Sequence, residues 1–221
     1  MDLNEYLREN FLKSKNPHLI DIYTGYADSK SAIHLFTNRI IDEFVKCGLI
    51  IELIHKKMPE EKNEISNMGS KLFDNIDTMR IDIIAFYLFV RMHMDIFCRI
   101  IKECYGKRGK QFPNSMSDLL KLIKEGKLKD EFLEELLKRT DWFSEFKDER
   151  DKILHELGSP HIIGDSGGIS FQIGKYGDSI GSDKSKLIND FVGDTNQNIN
   201  NIASFLIFKL PQANKLNNQN K

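Results

Sequence analysis

Between Ile81 and Ile101 the chain reads IDIIAFYLFVRMHMDIFCRII, and no other stretch restricts the fold as much. Its middle turns are apolar around most of the helical circumference, the mark of a helix buried at the centre of a core. Asp82, Arg91, His93, Asp95 and Arg99 interrupt it at a density that a membrane span does not tolerate. The spacing predicts a helix from Thr78 to Tyr105, capped by Asp77 and stopped by Gly106. Arg91, His93, Asp95 and Arg99 then either lie on a solvent stripe or satisfy buried partners, or a few of them line a cleft against the Arg150 helix.

A second helical period runs from Lys30 to Lys57, carried by Ile33, Phe36, Ile40, Phe44, Leu49 and Leu53 and closed by Met58-Pro59. Gly48 inside it costs about 1 kcal/mol against alanine and leaves room for close packing there. Residues 3–14 form a short helix ended by Asn16-Pro17, and a turn-prone stretch follows to Ser29. Residues 60–75 read as a polar loop with a weak helix. Lys107 to Pro113 (KRGKQFP) is a small basic loop, either solvated or set against a phosphate backbone. Ser115 or Ser117 caps a short helix through Lys124, Gly126 ends it, and Lys129 to Arg139 forms another. After Pro160, two β-rich runs at 161–163 and 169–173 flank a glycine-rich turn and predict a hairpin. A last long helix spans about Lys184 to Lys209, and the polar tail 210–221 is expected to be flexible. The expected fold class is mainly α, a helical bundle with a small β-hairpin before the last long helix, in a single domain over 1–221.

Composition narrows the function classes. The formal net charge is −1 in 221 residues, so no global basic field announces a nucleic-acid partner and any such site is local. Cys47, Cys98 and Cys104 lack framework spacing and read as free thiols of a reducing, cytoplasmic compartment. The N-terminus is too polar for a signal peptide. The six histidines show no ligand spacing, so neither a metal nor an organic cofactor is expected. Gly164-Asp165-Ser166-Gly167-Gly168 matches the pentapeptide around the nucleophile of trypsin-like proteases. Those enzymes are double β-barrels, however, and no histidine here has the matching context, so a tight hairpin turn explains the residues better.

The chemistry concentrates in Asp141 to Gly158, DWFSEFKDERDKILHELG. Trp142, Phe143, Phe146, Ile153, Leu154 and Leu157 give it an apolar side, Asp141 a cap and Gly158 a stop. Arg150, Asp151 and His155 stand on this helix. An imidazole takes or gives a proton near neutral pH. A guanidinium holds two phosphate oxygens and stabilises the charge of a five-coordinate phosphorane. Asp151 and His155 are four apart, so the carboxylate can fix the imidazole tautomer. Arg150 lies roughly 140° around the helix from His155, so its side chain must wrap back or a second subunit must complete the site. The bare spacing arises by chance about 0.2 times in such a composition, so its context on the helix carries the weight.

That combination resembles the HEPN superfamily, helical-bundle domains marked by Arg-(four to six residues)-His with a polar residue often following the arginine. Arg150, Asp151 and His155 match that pattern, and the long helices before and after it fit the arrangement. Residues 1–25 and the hairpin at 160–175 would then be an extension and an insertion. The resemblance implies a homodimer and a metal-independent endoribonuclease that cuts RNA by 2′-hydroxyl attack, in a toxin–antitoxin, defence or RNA-processing role with a cognate antitoxin or partner protein. His155 would serve as general base or acid, Arg150 as phosphorane clamp and Asp151 as orienter. One subgroup carries a modified tyrosine two residues after the histidine; here that position is Leu157. The alternative is a non-catalytic domain of the same type that binds RNA or nucleotide or serves as a partner subunit. A third reading makes Arg150 and His155 structural, which requires a carboxylate from another helix to hold the arginine.

Overall fold

The computed structural model describes residues 2–57, 62–156, 158–165, 168–175 and 185–219. Along the chain these form α1 (Leu3–Asn10), α2 (Pro17–Lys57), α3 (Lys62–Cys104), α4 (Met116–Lys124), α5 (Glu131–Arg139) and α6 (Trp142–His155). Then come β1 (Ser159–Asp165), β2 (Gly168–Gly174), β3 (Lys186–Leu187) and α7 (Ile188–Gln219). The fold is mainly α, with a small antiparallel sheet ahead of the last helix. Among the described residues, no helix is long and apolar enough to cross a membrane.

Both long helices start earlier than their apolar spacing suggests. Helix α2 begins at Pro17 rather than Lys30. Proline suits a first helical position because its missing N–H has no intrahelical partner to lose. Asn16 supplies the cap: its Oδ1 accepts from His18 N–H at 3.0 Å and its carbonyl from Ile20 N–H at 3.0 Å. Ile22, Tyr26, Ile33 and Ile40 then form one buried stripe. The hydroxyl of Ser29 donates to the Gly25 carbonyl at 2.7 Å, so this residue joins the helix instead of turning the chain. Helix α3 begins at Lys62 rather than Thr78. Its added turns expose Asn67, Ser70, Lys71 and Asp74, and extending an existing helix needs no new nucleus. Met58-Pro59 lies outside the described residues.

The described residues divide into two compact units. The first takes Met1–Ala32, Phe89–Lys147 and Thr195–Lys221; the second takes Ile33–Leu88 and Asp148–Asp194. Helices α2, α3, α6 and α7 each supply a segment to both. In the first unit Leu3, Tyr6, Leu7 and Phe11 are buried, and Tyr6 reaches the Cys104 thiol. The stretch read as an N-terminal extension thus supplies core residues. Ser115 caps α4 by accepting from Asp118 N–H at 3.5 Å, and Asp130 caps α5 by accepting from Leu133 N–H at 2.9 Å. Gly126, at φ +69°, ends the turn after α4.

In the second unit Phe191 gathers the aromatic core, its ring 5.6 Å from Phe86, 5.2 Å from Tyr87 and 4.9 Å from Phe171. The sheet runs β1-β2-β3, all antiparallel, with β1 and β2 in register from Ser159 opposite Gly174 to Asp165 opposite Gly168. Gly164, Asp165 and Gly168 close this hairpin, while Ser166 and Gly167 lie outside the described residues. Helix α7 follows β3 directly and continues to Gln219, past the expected end at Lys209. Lys184, its expected start, lies outside the described residues.

Candidate functional site

Helix α6 is held at its end by backbone geometry. Glu156 N–H returns to the Lys152 carbonyl at 3.1 Å and Gly158 N–H to the same oxygen at 3.0 Å. A Cβ at Gly158 would stand 3.0 Å from that oxygen, so glycine is the residue that lets the chain fold back this closely. Of the expected apolar side, Phe143, Phe146 and Ile153 are buried, whereas Leu154 is exposed. Leu157 lies outside the described residues.

His155 occupies the last turn of α6 and is exposed. Among the described residues nothing hydrogen-bonds its ring. Arg150 is different: its side chain is 13% exposed, and its Nη1 lies 2.9 Å from Oδ1 of Asp151. Its Nε is buried and, among the described residues, has no hydrogen-bond partner. Among the described residues Arg150 has no other polar partner, so most of its five N–H donors are unspent. The structure therefore joins Arg150 to Asp151, and one Asp151 oxygen faces the arginine. The carboxylate from another helix that a structural Arg150 requires is not found among the described residues.

One neighbour escaped sequence reasoning. Glu149, just before Arg150, is largely buried and accepts from the Tyr87 hydroxyl at 2.5 Å and from Lys186 Nζ at 3.0 Å. The same ammonium lies 5.8 Å from the Phe191 ring. This network ties α6 to α3 and β3 within the second unit. Its partners are distant in sequence, and no local spacing points to them.

The polar residues inside the central helix are spent elsewhere. Arg91 donates to Ser117 Oγ at 2.7 Å and Ser115 Oγ at 2.9 Å, and it lies over the Phe143 ring at 5.4 Å. Asp95 accepts from Met116 N–H at 2.8 Å, and Arg99 donates to Asp21 at 2.7 Å. His93 is buried against Ser29 Oγ at 2.8 Å. Each of the four satisfies a partner inside the first unit, which is the first of the two readings given above. Asp82 is fully buried beside Arg39, and burial raises its carboxyl above the ordinary range although Arg39 opposes the shift. Among the described residues no group of three or more His, Cys, Asp or Glu side chains has a metal-holding arrangement.

Comparison with protein-family models, with curated proteins and with solved structures finds no match in any of the three. The class that can be stated is that of the fold: a mainly α chain with a small antiparallel sheet. What particularises it is one helix that carries a half-spent arginine and an exposed histidine.

Proposed function

We propose that this chain is a metal-independent endoribonuclease of HEPN type, acting in a toxin, defence or RNA-processing role. The observation that carries the reading is Arg150, a largely buried arginine with one carboxylate contact and, among the described residues, no partner for its buried Nε. Buried polar groups in native proteins are almost always satisfied, so an arginine in this state suits an acceptor that arrives with a ligand. Phosphate oxygens fit its planar fork. In the reaction, exposed His155 takes the proton of a 2′-hydroxyl as its oxygen bonds to phosphorus. The bond from phosphorus to the 5′-oxygen breaks, and a second acid protonates the leaving oxygen. The His155 of a second copy supplies that acid if the protein is a homodimer. The products are a 2′,3′-cyclic phosphate and a 5′-hydroxyl. Free, buried Cys47, Cys98 and Cys104 support a reducing, cytoplasmic setting.

A second reading has its own support. Arg150 is largely buried and already neutralised by Asp151, as expected of a domain that binds RNA or nucleotide, or a partner protein such as an antitoxin, without cutting. Cleavage of a labelled mixed-sequence RNA in EDTA separates the two. Cyclic phosphate ends that disappear in both His155→Ala and Arg150→Ala support the nuclease. Saturable binding of intact RNA supports the second reading, and cutting that survives both substitutions refutes the site assignment.

A further inference from the structure

The segment from Lys102 to Asp130 departs from the charge balance of the chain. It holds eight lysines and arginines against four acidic residues, in a protein of net charge −1. All four acids are engaged: Asp130 with Arg108 and Tyr105, Glu125 with Lys127, Glu103 with His18, and Asp118 in the capped first turn of α4. Lys107, Lys110, Lys121, Lys124 and Lys129 are exposed, and among the described residues no carboxylate lies within ion-pair distance of any of them. Lys121 and Lys124 have a local role, since they sit in the last turn of α4 and complement its dipole. The other three have none.

Lys107 and Lys110 stand on a turn that is fixed in place, and Lys129 is tied to that turn through its backbone. Gly109 is buried so close to α3 that a Cβ there would lie 1.9 Å from the Lys102 carbonyl oxygen. Arg108 donates to the Lys129 carbonyl at 3.0 Å, pairs with Asp130 at 3.0 Å and lies over the Tyr105 ring at 5.5 Å. Lys107 and Lys110 therefore flank a pinned residue that itself holds Lys129. The Lys129 side chain lies over Gly126, its Nζ 3.4 Å from where a Cβ would be. Crowding like charges on a rigid turn is unfavourable without a counter-charge. The aromatic residues of the segment, Tyr105 and Phe112, are both buried, so no base-stacking platform is offered here.

We propose that Lys107 and Lys110, on the turn pinned by Arg108 and Gly109, together with Lys129, whose carbonyl Arg108 holds, form a docking surface for the phosphate backbone of single-stranded RNA, without base readout. The inference extends the RNA reading of the preceding section to a second surface, but it does not require that Arg150 and His155 cut. The probe is therefore a fluorescein-labelled 2′-O-methyl RNA 20-mer of mixed sequence, which offers the same phosphates but no attacking hydroxyl. Its anisotropy is followed from 50 to 200 mM salt with the full chain. Each lysine–phosphate contact on a single strand adds about 0.7 to the slope of log affinity against log salt. The triple variant Lys107→Gln/Lys110→Gln/Lys129→Gln is expected to lower that slope by about 2 and to bind roughly 100-fold more weakly at 0.1 M salt. Lys13→Gln/Lys46→Gln/Lys56→Gln removes the same formal charge from lysines already paired with Glu9, Glu43 and Glu52, and is expected to bind nearly as wild type does. An unchanged slope in the first variant, or an equal loss in the second, overturns the docking surface. So does competition by poly-L-glutamate at the charge concentration of the RNA, which would assign the surface to an acidic protein segment. Loss of cutting in His155→Ala with probe binding intact leaves the proposal standing and concerns only the catalytic reading.

Discussion

Acidification from pH 7 to 4.5 should destabilise this protein chiefly through His93. The ring is buried between Tyr26, at 5.1 Å, and Phe97, at 4.6 Å. Its Nδ1 meets Ser29 Oγ at 2.8 Å. That hydroxyl has one proton, and the Gly25 carbonyl at 2.7 Å takes it, so Nδ1–H donates to Oγ. Burial, with a smaller contribution from Lys30, pushes the imidazole down to about 3. In the unfolded chain it titrates near 6.5. Between those values the unfolded state binds a proton that the folded state refuses, so stability is lost as pH falls through that window. At pH 4.5 the loss is about 3 kcal/mol, from roughly 2 pH units at 1.36 kcal/mol each. Asp82 works with the opposite sign, since its carboxyl is raised by burial and its contribution favours the fold as pH falls. Urea unfolding followed through Trp142, the single tryptophan, measures the slope at several pH values. His93→Phe keeps an aromatic ring in the cluster and leaves Ser29 its carbonyl, so this variant should lose most of the pH dependence. A wild-type stability that is flat from pH 7 to 4.5, or a variant that keeps the slope, would refute the reasoning.

Two further expectations follow from burial and close approach. Burial pushes the Cys98 and Cys104 thiols up to about 12 and Cys47 to about 11, so Ellman's reagent at pH 8 should label none of them in the native protein and all three in urea; fast labelling of the folded chain would contradict this. Gly109→Ala forces a methyl against the Lys102 carbonyl and should cost about 1–3 kcal/mol, read as a lower thermal midpoint, whereas an unchanged midpoint would show that the turn is not pinned.

The helices were legible where apolar spacing marked them and illegible where capping and continuity decided. The buried run from Ile83 to Ile101 announced α3, and Ser115 and Gly126 announced the ends of α4, whereas the Asp130 cap of α5 was not read. The start of α2 depended on Asn16 and Pro17, which read equally well as a break. The polar first turns of α3 carry no apolar stripe at all. The third strand, Lys186–Leu187, is too short to register as a strand until Ser170 and Phe171 pair with it. Gly48 shows the limit from the other side: a glycine inside a helix left close packing open, yet a Cβ there would meet nothing within 4 Å.

At the motif, residue types were legible and their commitments were not. In-helix partners of an arginine are sought three or four residues away, and none of those positions around Arg150 is acidic. The structure instead turns the guanidinium to its immediate neighbour Asp151, and Nε is left buried with no partner among the described residues. An unsatisfied buried donor costs about 1–3 kcal/mol. Glu149, one residue earlier, shows what satisfaction looks like on the same helix, with both Tyr87 and Lys186 on its carboxylate. The contrast between these neighbours argues that Glu149 anchors α6 while Arg150 is kept with donors in reserve. On the proposed reading, those donors await a phosphate oxygen.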